Sequence, residues 1–205
     1  MKTSPVSFAL LLALLLCPLS AQNPPTAAER DARAKKATED RLAYAASADY
    51  NPYDTKNRDS AKSAVELLEK QKFPQAIAEV QVGLRAVHYD IDLLVILASA
   101  YRAAGDLPNA DQTRLEWMSL VDSVLSSGDG RDFATAYRVI NVAEEYAVLR
   151  VLGLRITHQS LVEHEGSEFD LLQVKRPDSP DEITLYFNID LPKKWLNKQF
   201  AKKAK

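Results

Sequence analysis

Phe73-Pro-Gln-Ala76 (FPQA) and Leu107-Pro-Asn-Ala110 (LPNA) each place a proline just inside a stretch whose apolar residues recur at helical spacing. Proline suits the first turn of a helix, because its missing N–H would have had no intrahelical partner there. Each motif therefore marks a helix start. Ile77, Val80 and Leu84 follow the first; Ala110, Leu115, Met118 and Val121 belong to the second. Ahead of each lies another helical stretch. Ala64, Leu67 and Leu68 precede Pro74, while Leu94, Leu97, Ala98 and Tyr101 precede a turn at Gly105-Asp106. The pattern is two helical hairpins.

Pro74 and Pro108 are 34 residues apart, as are Ala76 and Ala110, and one helix pair per 34 residues is the period of tetratricopeptide repeats. The phrase ASAYRAAGDLPNA, Ala98 to Ala110, resembles that family in its small residue, its aromatic three positions on, its turn glycine and the alanine of its second helix. The first unit has Ala64, Leu67 and Ala76 in the matching places and no glycine in its turn. Small residues at Ala64, Ala76, Ala98 and Ala110 let two helices approach closely. Two units bury little core where about three are usually needed. The rest of the chain is therefore expected to cap them in one cooperative unit.

After SSGDGRD, Ser126 to Asp132, the period changes. Glu182 to Asp190 (EITLYFNID) alternates, with Ile183, Leu185, Phe187 and Ile189 on one face, which predicts a half-buried strand. Further strands are expected at 137–142, 155–164 and 169–175, with turns at HEGS and RPDSPD. In AEEYAVLRVLG, Ala143 to Gly153, two acids at the start, Arg150 near the end and a closing glycine favour a short helix. Its valines and leucines also fit one long strand. The expected fold is α+β: two tetratricopeptide-like hairpins over 50–127, then a small antiparallel sheet with one short helix over 128–198. Residues 22–49, rich in Ala, Glu, Arg and Lys, read as a solvated helix or linker, or as a helix ordered by a partner.

Lys2 followed by the apolar run Phe8 to Cys17 and the small residues Ser20 and Ala21 reads as a secretory signal peptide over 1–21. Ten apolar residues are too few to span a membrane, which takes roughly 20. Lipid attachment at Cys17 is the alternative, disfavoured by the bulky Leu16 before it. Cys17 is the only cysteine, so stability in an oxidising compartment must come from packing. With 26 Lys and Arg against 28 Asp and Glu, the chain lacks the basic excess that nucleic-acid binding uses.

The runs GDG (Gly128 to Gly130), TAYRVINVAEEYAVLRVLGL (Thr135 to Leu154), Phe169-Asp170 and LYFNIDLP (Leu185 to Pro192) resemble the bacterial domain-of-unknown-function family 4919 over roughly residues 50–198. The resemblance implies export and this fold, and carries over no catalytic residue.

The side chains themselves point away from catalysis. His158 and His164 share a strand face but lie six residues, roughly 20 Å, apart, too far for one metal site. His158 and Ser160 are closer, about 6 to 7 Å along the strand, still beyond a nucleophile-to-base hydrogen bond. Adjacent Glu144 and Glu145 point in different directions on a helix, and Glu163 and Glu165 flank a turn. Asp129 to Asp132 lacks the ligand pattern of a calcium loop. No cofactor or metal is expected.

The expected function is a non-enzymatic module, exported to the periplasm or beyond, that binds a protein or peptide on the first-helix face of its repeats: Arg58, Val65, Asp92, Ser99 and Arg102. Two rivals are a peripheral membrane protein, through Trp195, Leu196 and Phe200 among the lysines of the C-terminus and its basic tail 199–205, and an envelope enzyme using His158 and Ser160.

Overall fold

The computed structural model describes residues 25–203; the expected signal peptide at 1–21 lies outside them. Seven helices and four strands follow in the order α1 (Ala27–Ala46), α2 (Lys56–Glu69), α3 (Phe73–Ala86), α4 (Ile91–Ala103), α5 (Leu107–Leu125), β1 (Tyr137–Arg138), α6 (Val142–Leu152), β2 (Arg155–His164), β3 (Ser167–Lys175), β4 (Glu182–Asn188) and α7 (Asp190–Lys203). The fold is α+β. The chain forms two compact units, one built from Thr55–Met118 and the other from Ala28–Asp54 together with the chain from Ser119 onward.

In the helical unit, the turns between paired helices repeat one another bond for bond. Pro74 sits in the first turn of α3. In the first turn between helices, Gln71 N–H donates to Leu68 O and Lys72 N–H to Leu67 O; 34 residues later Gly105 N–H donates to Arg102 O and Asp106 N–H to Tyr101 O. Gln71 takes a left-handed φ of 56° where Gly105 takes 81°. The missing glycine of the first repeat is thus a side-chain difference on an unchanged backbone. A side chain in this conformation is strained by about 1–2 kcal/mol, whereas glycine adopts it freely but loses more entropy on folding. Gln71→Gly should therefore raise unfolding stability by about 0.5–1 kcal/mol, read as a higher urea midpoint at unchanged slope; a lower midpoint would contradict the repeat geometry.

Ala64, Val80, Leu93, Ile96 and Leu97 form the core of this unit. Ala64, Ala76, Ala98 and Ala110 are all buried, as the close-approach argument requires. A Cβ built at Gly83 would lie 2.8 Å from both Ser60 Cβ and Leu93 Cδ1, so three helices meet there with no room for a methyl group. Buried Asp90 caps α4 by accepting from Leu93 N–H at 2.9 Å and takes Asn57 Nδ2 on its other oxygen at 2.6 Å, tying the start of α2 to the start of α4.

In the second unit the sheet order is β1-β4-β3-β2. β2, β3 and β4 are antiparallel as expected, but β1 runs parallel to β4 through Tyr137↔Phe187 and Arg138↔Asn188, so the sheet is mixed. The strand expected over 137–142 is only two residues long. Asn141 ends it by capping α6, its Oδ1 accepting from Glu144 N–H at 3.1 Å. Gly153 closes α6 with a φ of 68°, so the segment left open between helix and strand is a helix. The β2–β3 turn has positive φ at both Glu165 and Gly166, the backbone of a tight two-residue hairpin.

Val148 and Leu149 of α6 and Val124 near the end of α5 cover Leu172, Val174, Leu185 and Phe187. Ile189 is buried with them. Ile183 departs from the expected apolar row and is 52% exposed, standing at the open start of β4 beside exposed Glu182. On the opposite sheet face Phe133 stacks on His164 at 4.0 Å and meets Phe169 and Tyr186 edge-on, each at 5.0 Å.

The GDG loop is a structural joint. Gly130 has a left-handed φ of 69°, and a Cβ there would strike the Tyr137 ring at 2.3 Å. Its carbonyl accepts from Tyr186 N–H at 2.9 Å, joining the loop to β4. Asp129 accepts from the Thr135 hydroxyl and from Arg131 N–H, and these bonds hold its carboxyl below the usual range.

Helix α1 is not the solvated spacer that its composition suggests. Ala34, Ala37 and Arg41 form a buried stripe, and Thr38 hydrogen-bonds Ser123 at 2.7 Å. The C-terminal segment is also helical, so the residues read as a basic tail from 199 continue the last helix as far as Lys203.

Candidate functional site

The densest group of buried polar side chains lies in the second unit, at the first turn of α6. Glu144 and Glu145 are adjacent and point apart, and both are fully enclosed. Glu144 meets Arg41 of α1: Arg41 Nε donates to Oε1 at 2.8 Å and Nη2 to Oε2. Arg41 Nη1 also donates to Ser123 Oγ at 2.8 Å, and Ile140 N–H donates to Glu144 Oε2 at 2.9 Å. Tyr50 adds its hydroxyl to Ile140 O; burial and the neighbouring Glu144 push that phenol far upward, so it keeps its proton. Both partners of the ion pair are shut from water, so their mutual attraction and hydrogen bonds must offset a desolvation cost of several kcal/mol per ion.

Glu145 turns the other way, toward Asp170 of β3. Among the described residues, neither Glu145 oxygen, nor Asp170 Oδ1, meets an N–H or hydroxyl donor; Asp170 Oδ2 takes the amide of Gln159. Two ionised carboxylates would offer no hydrogen between them, so a carboxyl proton supplies the bond. Burial first, then the charges of Asp170 and Glu144, push Glu145 up to about 9. Glu145 therefore holds the proton at neutral pH and donates it to Asp170. Asp170 is itself raised by burial, with Gln159 and Glu145 opposing the rise. Tyr53 lies near Glu145 and 5.9 Å from the Trp195 ring of α7.

A proton-sharing carboxyl pair is the raw material of general acid-base chemistry. Here exposures of 0% for Glu145 and 5% for Asp170 keep substrate away, and the pair instead fastens the first turn of α6 to β3. His158 and Ser160 stand on one face of β2, both exposed. Among the described residues, no three His, Cys, Asp or Glu side chains are grouped to hold a metal ion, and no helix is long and apolar enough to cross a membrane.

The five residues assigned to the first-helix face are not presented alike. Arg58 is exposed, and Val65 and Asp92 are half-buried. Ser99 is only 4% exposed and gives its hydroxyl to Val95 O at 2.9 Å. Arg102 is half-buried and paired with buried Asp111 at 3.0 Å. In the C-terminal helix, Asp190 accepts from Glu168 N–H, Lys193 pairs with Glu168 at 3.6 Å and Lys194 with Asp190 at 3.2 Å. Two of its lysines are thus committed to the sheet and to the start of their own helix; Phe200 is exposed.

Among the described residues, the open element of the second unit is β2. It is the sheet edge opposite β1, ten residues long, and only Ile156 and Val162 are even partly covered. Sequence reasoning placed this strand correctly but gave no sign that it is an edge, because strand order is a property of the whole sheet.

No curated protein and no solved structure matches the chain. The family model described as a domain of unknown function (DUF4919) matches residues 36–198, a span that takes in Arg41 and every strand of the sheet, and the chain belongs to that family.

Proposed function

We propose that the protein is an exported, non-catalytic interaction module that receives an extended segment of a partner polypeptide along β2. The observation that carries this reading is the open strand edge. A sheet edge presents a row of backbone N–H and C=O groups ready to pair with an added strand, and proteins usually guard it by shortness, lysine, proline or a bulge. β1 is guarded by its two-residue length. β2 carries a bulge near Thr157, and the seven residues beyond it, His158 to His164, include neither proline nor lysine. The first-helix face is the weaker surface, since Ser99 is enclosed and Arg102 is engaged with Asp111. Export rests on Lys2 and the apolar run to Cys17.

Extended peptides selected from a random display library against the folded protein should shift the backbone amide signals of residues 158–164 in NMR spectra. Binding that instead shifts the signals around Arg58 and Asp92 would return the interaction to the helical face and defeat the strand-addition reading.

A further inference from the structure

We propose that the strand added at β2 is the β2 of a second copy of this chain, paired antiparallel about a two-fold axis at Leu161. The inference rests on the strand-addition reading and supplies its partner. Beyond the bulge, β2 pairs with β3 without interruption from His158↔Gln173 to His164↔Ser167. The free edge thus offers a regular run of seven residues, and an antiparallel run pairs all of itself with its own copy only when centred on its middle residue.

That middle residue is Leu161, 57% exposed and the most exposed large apolar side chain of the strand. In this register Leu161 meets the Leu161 of the second copy, and Ser160 meets Val162. Gln159 meets Glu163, and His158 meets His164. Opposed residues lie on one face, as pairing requires: residues 159, 161 and 163 on the side of Leu172 and Asp170, residues 158, 160, 162 and 164 on the side of Phe169. Glu163 is the only acidic or basic side chain within the run apart from the histidines, and it falls opposite a neutral amide, so no like charges of Asp, Glu, Lys or Arg are opposed. A bound copy would cover the exposed leucine, fill the open backbone edge of both chains and join two four-stranded sheets into one of eight. The interface would be isologous and closed, which stops further growth at that edge.

The test is sedimentation equilibrium of the exported protein across a range of concentrations, with Leu161→Lys as the disrupting variant and Leu161→Cys as the register probe. Directly opposed residues have Cβ atoms about 4.5–5.5 Å apart, near disulfide reach, whereas Glu163→Cys would lie four residues, roughly 13 Å, from its copy. We expect a reversible dimer and a dissociation constant weakened about tenfold or more by Leu161→Lys. We also expect rapid disulfide cross-linking by Leu161→Cys and little by Glu163→Cys. The cysteine pair decides the register even if the lysine variant does not fold. A protein that stays monomeric while selected peptides still bind at residues 158–164 would overturn the second copy and leave strand addition standing. A dimer in which Leu161→Cys does not cross-link would place the interface elsewhere and overturn the inference.

Discussion

Arg41→Ala should cost the fold about 3–5 kcal/mol, the range observed when one partner of a buried ion pair is removed. The guanidinium serves Glu144 through two donors and Ser123 through a third. Its loss leaves the Glu144 charge enclosed with only the Ile140 amide for compensation. A single-residue truncation on a helix that reads as solvated would ordinarily shift stability by less than about 0.5 kcal/mol, so the two readings of α1 differ severalfold in a denaturant titration. The double variant Arg41→Met, Glu144→Leu should recover most of the loss, because removing both charges also removes both desolvation penalties. An Arg41→Ala protein as stable as the parent would show that α1 does not pack as described.

The second large effect is a gain. Glu145 lies near 4.5 when free in the unfolded chain and about 9 in the folded one. Between those values the native state holds a proton that the unfolded state has released. Unfolding free energy should therefore fall with rising pH by up to about 1.4 kcal/mol per unit on this account. The contribution is complete below pH 4.5 and is lost as the pH passes through 9. Asp170, also raised, acts in the same direction. Glu145→Gln has no proton to lose, and its amide can still donate to Asp170. The variant should be more stable than the parent by about 2–3 kcal/mol at pH 7 to 8, with a flatter dependence of stability on pH. Denaturant melts at pH 5, 7 and 9 for both proteins decide it. A destabilised glutamine variant with an unchanged slope would mean that the pair does not share a proton.

The contrast between these residues and the repeats shows which features a sequence exposes. Pro74, Ala76, Pro108 and Ala110 are legible because their spacing is local and periodic, and the two turns follow it in hydrogen bonding as well as in sequence. Helix α6 was half-legible: Asn141 and Gly153 bracket it, but its valines suit either state until the cap bond to Glu144 N–H forms. Arg41 was not legible. It stands among polar neighbours in a segment with little apolar face, and its partner is 103 residues away. Glu144 and Glu145 were correctly read as pointing apart, yet that divergence is their use, one serving α1 and the other β3. β1 was overestimated because Tyr137, Arg138 and Val139 alternate apolar and polar and Ile140 and Val142 are good strand formers, while cap chemistry at Asn141 ends the pairing early.

The second unit leaves the chain at Asp54 and resumes at Ser119, which sets an order of events for a polypeptide made from its N-terminus. Helix α1 emerges first, but Arg41 must wait for Glu144, so this unit cannot close until roughly two-thirds of the chain exists. The contacts of the helical unit are nearly all between neighbours in sequence and can form during that wait, as local topologies do quickly. Until Glu144 is made, α1 would thus spend its early life as a charged segment without its partner. The sparse apolar face that disguises its role in the sequence would also leave it little surface for aggregation before its partner arrives.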